Sequence, residues 1–304
     1  MFDTTPENDG AAAVDRALKL ARHNGDIFVI VATPNASHWS LAKAFLATGN
    51  RVLVEKPLAL PGEIGPHNVD AEGLRRLMVS TPYRHRPDVS RLRGLMAAGT
   101  IGEVRAIAMS WRRRAGIPRP GSWYTNRQLS GGGVLVDLGP HLLDLGLDLL
   151  GWPEVVIEQC TLSHAGDWTG RSSAWMAGTA NDDLPCDVEL GARLALSDTG
   201  GRRITVDVAW TSEVAEDTTT IEAIGANGRL RLTTLFGFAP GRSVGSVTGA
   251  ATIDVALDRR PEVDFARMLQ AFDDGTGAAG QDGIAVMDVI ARAYRVAAPA
   301  AAAS

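Results

Sequence analysis

Apolar residues recur at helical spacing over residues 11–23, which predicts an amphipathic helix. The unbroken run Ile27-Phe28-Val29-Ile30-Val31-Ala32 ends at Thr33-Pro34-Asn35 and predicts a strand buried on both faces, the habit of parallel sheets. A helix follows from Ser37 to Thr48, closed by Gly49, and a second strand, Arg51-Val52-Leu53-Val54, runs into Glu55-Lys56-Pro57. Strand, helix and strand within about 30 residues make a right-handed βαβ unit. A further strand, Leu77 to Thr81, precedes Tyr83-Arg84-His85-Arg86-Pro87. The interval from Pro57 to Arg84 is short for a helix and a strand, and its Pro61-Gly62-Glu63-Ile64-Gly65 stretch is a poor helix.

Beyond about residue 100 the period changes. Val104 to Trp111, Val155 to Leu162, Val188 to Leu196, Ile204 to Trp210, Thr218 to Ile224 and Arg229 to Thr233 alternate as strands do, with Ala226-Asn227-Gly228 as a hairpin turn. Helices are expected near Val263 to Phe272 and Gly283 to Val296, and the Ala-Pro tail from Ala297 is expected to be disordered. The predicted fold class is α/β plus α+β. A partial Rossmann-type parallel-sheet domain (1–98) is followed by an open antiparallel-sheet domain with flanking helices (99–296) and a tail (297–304).

Composition narrows the function classes. The 304 residues are 45% hydrophobic with a net charge of -5, which is globular rather than disordered and lacks the basic footprint that nucleic acid requires. No apolar run approaches the roughly 20 residues of a membrane span, and Met1 to Thr4 do not begin a secretory leader. Cys160 and Cys186 fit neither a disulfide framework nor a metal site, so two buried thiols in a reducing cytoplasm are expected. Of 30 lysines and arginines only Lys19, Lys43 and Lys56 are lysines. Lys56 alone lies outside a helical pattern. A compact ammonium kept where arginine abounds suits a point charge in a site.

Two places can carry chemistry. Glu55-Lys56-Pro57 and Thr33-Pro34-Asn35 fall at the carboxyl ends of neighbouring parallel strands, where open α/β sheets bind ligands. A structural ion pair would equally account for Glu55 and Lys56. In Gly131-Gly132-Gly133-Val134 through Asp144, the residues Asp137, His141, Asp144 and Asp148 form a polar stripe beside Leu138, Leu142, Leu145 and Leu149. Asp137 and His141 would share a helix face, although Pro140 is tolerable only in a first turn or at a kink, and the stripe could equally be one that meets water. The three glycines let backbone approach whatever lies against that helix end.

Together these segments resemble the Gfo/Idh/MocA family of nicotinamide-dependent oxidoreductases. The resemblance is carried by Ala32-Thr33-Pro34-Asn35 with His38, Glu55-Lys56-Pro57, Tyr83-Arg84 before Pro87, Gly99 with Ile101-Gly102, and Gly131-Gly132-Gly133 through Asp137, His141 and Asp144, in family order. It implies hydride transfer between a nicotinamide, NAD or NADP, and a secondary alcohol carbon of a sugar, aminosugar or cyclitol. Lys56 would hold the substrate hydroxyl, His141 would be the general acid/base, and Asp137 would orient the hydroxyl or the imidazole. Thr33, Pro34, Asn35, His38, Glu55, Lys56 and Pro57 would border the cofactor. Arg84, Trp123, Tyr124 and Asp144 would line the substrate pocket, with a core role equally open for the two aromatics. No metal is implied, and a homo-oligomer is expected. A non-catalytic sugar or cofactor sensor and an NAD-dependent glycosidase are the alternatives.

One family feature is absent from the sequence. No glycine-rich phosphate turn precedes Asp26, so the dinucleotide domain is expected to be incomplete and the chain to bind nicotinamide dinucleotide weakly or not at all. The literal match at Gly275-Thr276-Gly277-Ala278-Ala279-Gly280 follows a helical stretch and is not expected to hold a dinucleotide.

Overall fold

The computed structural model describes residues 10–24, 27–65, 69–164, 186–236, 244–258, 260–277 and 279–298. The expectations for Met1 to Thr4, for Ala278 and for 299–304 therefore lie outside the described residues.

The first part of the chain builds a parallel sheet. Helix α1 (Gly10–His23) leads to β1 (Phe28–Val31), then α2 (Asn35–Leu46), β2 (Arg51–Val54), a short α3 (Ala71–Arg76) and β3 (Leu77–Val79). The three strands pair in parallel in the order β1-β2-β3. The central β2 is buried almost throughout, while β1 is an edge strand whose Ile30 is 56% exposed. Helix α3 appears where the sequence suggested no helix. Asp70 caps it, its Oδ1 accepting from the Gly73 amide at 2.7 Å, and this cap supports a helix too short to show a period.

After a single-turn helix at Pro82–His85 come α4 (Pro87–Ala97) and β4 (Val104–Arg112). A second single turn at Trp123–Thr125 leads through α5 (Arg127–Ser130) and α6 (Val134–Asp137) to α7 (Gly139–Leu149). Strands β5 (Val155–Ser163), β6 (Gly191–Asp198), β7 (Arg203–Ala209), β8 (Thr218–Gly225), β9 (Gly228–Thr234), β10 (Val244–Thr248) and β11 (Thr252–Ala256) precede α8 (Pro261–Asp273) and α9 (Gly280–Ala297). Eight strands form one sheet in the order β11-β10-β9-β8-β4-β7-β6-β5. The sheet is mixed rather than purely antiparallel, because β4 and β7 pair in parallel. Three helices and the β5-β6 hairpin separate β4 from β7, which is the long crossover a parallel pair demands.

One face of this sheet is the core. Ile107, Met109 and Trp111 of β4 and Ile204, Val206 and Val208 of β7 are buried there beneath α6 and α7, while α9 covers β5. Ser110, Thr220, Arg112 and Asp207 occupy the opposite, half-exposed face, where Ser110 pairs with Thr220 and Arg112 with Asp207. The C-terminal helices, grouped by sequence with the second sheet, also pack against the first. Met268 of α8 joins Leu53 and Met78, and α9 comes so close to β3 that a Cβ on Gly283 would stand 2.3 Å from Val79. The two sheets are thereby joined at their ends.

Candidate functional site

A cleft of about 300 Å³ opens where the carboxyl ends of β1 and β2 meet α5 and α6. Thr33, Pro34, Asn35, His38, Glu55, Lys56, Trp123, Tyr124 and Asp137 line it, so most of the expected residues converge there. His38 joins the two strand ends: its Nδ1 and Nε2 each lie 2.6 Å from a carbonyl oxygen, of Pro57 and Thr33 respectively. Asn35 donates from Nδ2 to the Ser130 carbonyl at 2.9 Å and ties α2 to α5. Pro57 itself lines the small chamber behind Lys56 rather than the cleft. Trp123 and Tyr124 stack with centroids 3.7 Å apart as one aromatic wall. The Tyr124 phenol is pushed up to about 12, first by burial and then by the charges of Asp137 and Glu55.

Lys56 and Asp137, distant in sequence, meet at the cleft floor. Lys56 Nζ donates to Asp137 Oδ1 at 2.6 Å and to the Asp137 carbonyl at 3.0 Å, while Trp210 Nε1 donates to Asp137 Oδ2 at 2.8 Å. Burial works to raise the Asp137 carboxyl, but Lys56 foremost, then Arg113 and Trp210, overcome it and hold it at about 2. Asp137 is thus a fixed carboxylate that aims the lysine. The helix break explains why it does not orient His141. Asp137 ends α6, Leu138 is the junction, and Pro140 sits in the first turn of α7, so no hydrogen bond joins Asp137 to His141 among the described residues.

His141 lies behind Lys56. Its ring packs edge-on to Tyr83 at 4.8 Å between centroids and tilted to Trp111 at 5.7 Å, and it borders the small chamber rather than the cleft. Burial, and secondarily the Lys56 charge, drive its pKa well below the ordinary imidazole value. The ring is neutral at pH 7.

Arg84 and Asp144 do not line the cleft. Arg84 donates from Nε and Nη2 to Asp144 at 2.5 Å each, reaches Asp282 at 3.0 Å and lies 4.8 Å from the Trp152 ring centroid. They form a buried clamp between α7 and α9 instead. One guanidinium serves three carboxylates, so Arg84 keeps its proton more tightly, although burial opposes this. Asp144 is pushed up to about 6, chiefly by burial and further by Asp148 and Asp282, against the pull of Arg84. A carboxyl raised in the fold is destabilised when ionised. The native state should therefore gain stability as pH falls from 7 to 5, by about 1 kcal/mol relative to Asp144→Asn. Urea unfolding of both proteins at the two pH values measures this; parallel changes would place Asp144 in its ionised form throughout.

Two contributors were not singled out from the sequence. Trp210, just past β7, is an aromatic at a strand end whose buried N–H needs an acceptor. Glu189, between Val188 and Leu190, is an acid flanked by apolar residues and is fully buried. Its Oε1 accepts from the amides of Gly133 and Leu135, each at 3.0 Å, and from the Tyr294 hydroxyl at 2.8 Å. Close protein packing at Gly133 requires a glycine, since a Cβ there would stand 2.0 Å from the Glu189 carbonyl, while Gly132 and Gly133 also line the cleft. The thiols also differ from expectation. Cys160 is buried, but Cys186, in the segment leading toward β6, is exposed, and both are free. Among the described residues no His, Cys, Asp or Glu cluster is arranged for a metal, and no helix is long and apolar enough to cross a membrane.

The nicotinamide end of a dinucleotide fits the cleft, which lies beyond the strand ends of a parallel sheet and has the size of a small-molecule site. The described residues place no glycine-rich turn at the ends of β1, β2 or β3. A Rossmann-type sheet joined to a large mixed sheet, with a lysine-carboxylate pair at their junction, defines a nicotinamide-binding oxidoreductase class. Residues 4–80 match an oxidoreductase family model with an NAD-binding Rossmann fold, and residues 89–231 match the GFO/IDH/MocA C-terminal domain. The chain belongs to the Gfo/Idh/MocA oxidoreductases. It is 36% identical over 256 residues to a putative UDP-kanosamine synthase oxidoreductase subunit of Amycolatopsis mediterranei (strain S699), covering 79% of this chain and 70% of that one. It is 33% identical over 129 residues to D-glucoside 3-dehydrogenase of Escherichia coli (strain K12), 42% of this chain and 36% of the relative. The match thus spans about a third of the latter's length. Levoglucosan dehydrogenase solved with NADH and levoglucosan superposes with a TM-score of 0.72 at 20% identity, covering 97% of this chain and 86% of that one. The last comparison concerns the fold.

Proposed function

We propose that this protein transfers hydride between a nicotinamide, NAD or NADP, and the secondary alcohol carbon of a sugar, aminosugar or cyclitol. The observation that carries the reading is the Lys56 ammonium, fixed by Asp137 on the floor of a cleft at the strand ends of a parallel sheet. When bound, the nicotinamide supplies the hydride acceptor or donor. Thr33, Pro34, Asn35, His38 and Glu55 border its ring end, and the Trp123-Tyr124 wall offers the apolar face against which a sugar ring packs. Lys56 donates a hydrogen bond to the substrate oxygen and stabilises the negative charge that develops there. His141, neutral and behind Lys56, accepts the proton that the oxygen loses. The half-exposed face of the large sheet is our candidate for homo-oligomer contact.

The test is direct. Purified protein with NAD or NADP and a panel of sugars and cyclitols should show a change in absorbance of the reduced cofactor, abolished by Lys56→Ala and by His141→Ala. Full turnover in both variants would overturn the site. A sensor without turnover is the competing outcome of this test. It predicts sugar or nucleotide binding by calorimetry with no absorbance change.

A further inference from the structure

Behind Lys56 lies a second, smaller pocket of about 10 Å³, and Lys56 lines both it and the cleft. Its polar lining is Lys56, Thr81, His141 and Asp144, and Val79, Met287 and other apolar residues complete the wall. The Thr81 backbone is engaged, its amide donating to Met268 Sδ at 3.1 Å and its carbonyl accepting from the Arg84 amide at 3.2 Å. Its hydroxyl is not: Thr81 is 7% exposed, and its Oγ1 has no hydrogen-bond partner. Buried hydroxyls are almost always satisfied, by protein or by ordered water. A cavity needs about 10–15 Å³ and two to four polar partners to hold one water. The chamber meets both conditions.

We propose that this chamber is an internal water site, in which one water anchored on the Thr81 hydroxyl bridges His141 and Asp144 and relays protons behind the catalytic lysine. The water site stands on the geometry alone, while its use in turnover rests on the dehydrogenase reading above. In the direction of alcohol oxidation, Lys56 passes one of its own protons to the neutral His141 ring as it takes up the proton lost by the substrate hydroxyl, and so ends the step as an ammonium. The water then takes a proton from His141 as it gives one to the Asp144 carboxylate. Water and imidazole return to their starting forms, and Asp144 ends as the neutral acid. The charges facing these groups fit such a transfer. Burial first, then the charges of Lys56 and Arg113, keep His141 neutral against the opposing pull of Asp137. Asp144, among Arg84, Asp148 and Asp282, holds a carboxyl at about 6 that accepts a proton readily.

Thr81→Val removes the anchor at nearly constant shape, and Thr81→Ser restores it. Crystal structures should show one water in hydrogen-bond reach of Thr81 Oγ1 and a His141 ring nitrogen in the wild type and in Thr81→Ser, and none in Thr81→Val. Solvent exchange of the His141 ring N–H, followed by NMR on histidine-labelled protein, should slow about tenfold in Thr81→Val alone. With an active substrate, kcat should fall about tenfold in that variant at unchanged KM. A dry chamber in the wild type, or a water kept in Thr81→Val, would overturn the site. Loss of the water with unchanged exchange would overturn the relay. A wild type that turns over no sugar would defeat the dehydrogenase reading and the use of the relay in turnover, while density and exchange still decide the water.

Discussion

Lys56→Met should lower kcat/KM by about 10³-fold or more while leaving most of the fold intact. Methionine keeps the length and apolar stem of lysine but supplies no donor to the substrate oxygen, and interactions of this kind contribute about 10²- to 10⁴-fold. The same substitution exposes the structural role of the pair. Asp137, held at about 2 against an ordinary value of 3.8, contributes stability that is fully present above about pH 4 and disappears as pH falls toward 2. That contribution is about 2 kcal/mol. Without Lys56, Trp210 still donates to Oδ2, but the buried carboxylate loses its main counter-charge. Lys56→Met should therefore be less stable at pH 7 and flatter in its acid dependence than the wild type. Urea unfolding at pH 7 and pH 3, beside steady-state kinetics, measures both effects. Wild-type kcat/KM in the variant would remove Lys56 from the reaction.

Glu189→Ala should cost about 3–5 kcal/mol of stability, because it strips a fully buried carboxylate from three donors at once. Two of those donors, the amides of Gly133 and Leu135, are among the free N–H groups of the α6 N-terminus. The third is Tyr294 of α9, whose phenol is driven well above its ordinary value, first by burial and then by the Glu189 charge, and so remains a donor at any working pH. Since α6 carries Asp137, loosening its start also loosens the aim of Lys56. Activity should fall along with stability. Glu189→Gln retains one acceptor oxygen and should lose about half as much. Equilibrium unfolding in urea gives the free energies, and a loss under about 1 kcal/mol for the alanine variant would mean that water or a shift of α9 replaces the carboxylate.

Much of the fold was legible because it is written in local period. Phe28–Val31 and Arg51–Val54 are apolar enough to announce parallel strands, although only Arg51–Val54 is buried on both faces and Phe28–Val31 lies partly exposed at the sheet edge, and β4 through β9 alternate at period two, so their positions follow from the sequence within a few residues. Elements with a weak period were not seen. Helix α4 buries only Asp88, Val89 and Leu92 among exposed arginines, and the β10-β11 hairpin is built from short segments such as Val244-Gly245-Ser246-Val247-Thr248.

At the site, residue type and strand-end position singled out Lys56 and the Thr33-Pro34-Asn35 rim, and helical spacing with the family resemblance singled out Asp137. Partner choice was not. Asp137 and His141 stand four apart on what the spacing makes one helix, yet Pro140 and the break at Leu138 send one to the cleft and the other to the chamber. Arg84 and Asp144 carry the polarity of a pocket but satisfy each other, 60 residues apart, because a guanidinium in the interior must take the nearest carboxylates.

By itself the sequence determined the strongly periodic elements, the family resemblance that implies the class of chemistry, and the lysine. Only the tertiary structure decided which buried charges meet, since hydrogen-bond partners such as Lys56 and Asp137 or Trp210 and Asp137 are separated by 81 and 73 residues. Period and propensity are local properties of the chain. The desolvation that makes a buried charge select its partner is a property of the packed interior, and it exists only once the two sheets have closed on one another.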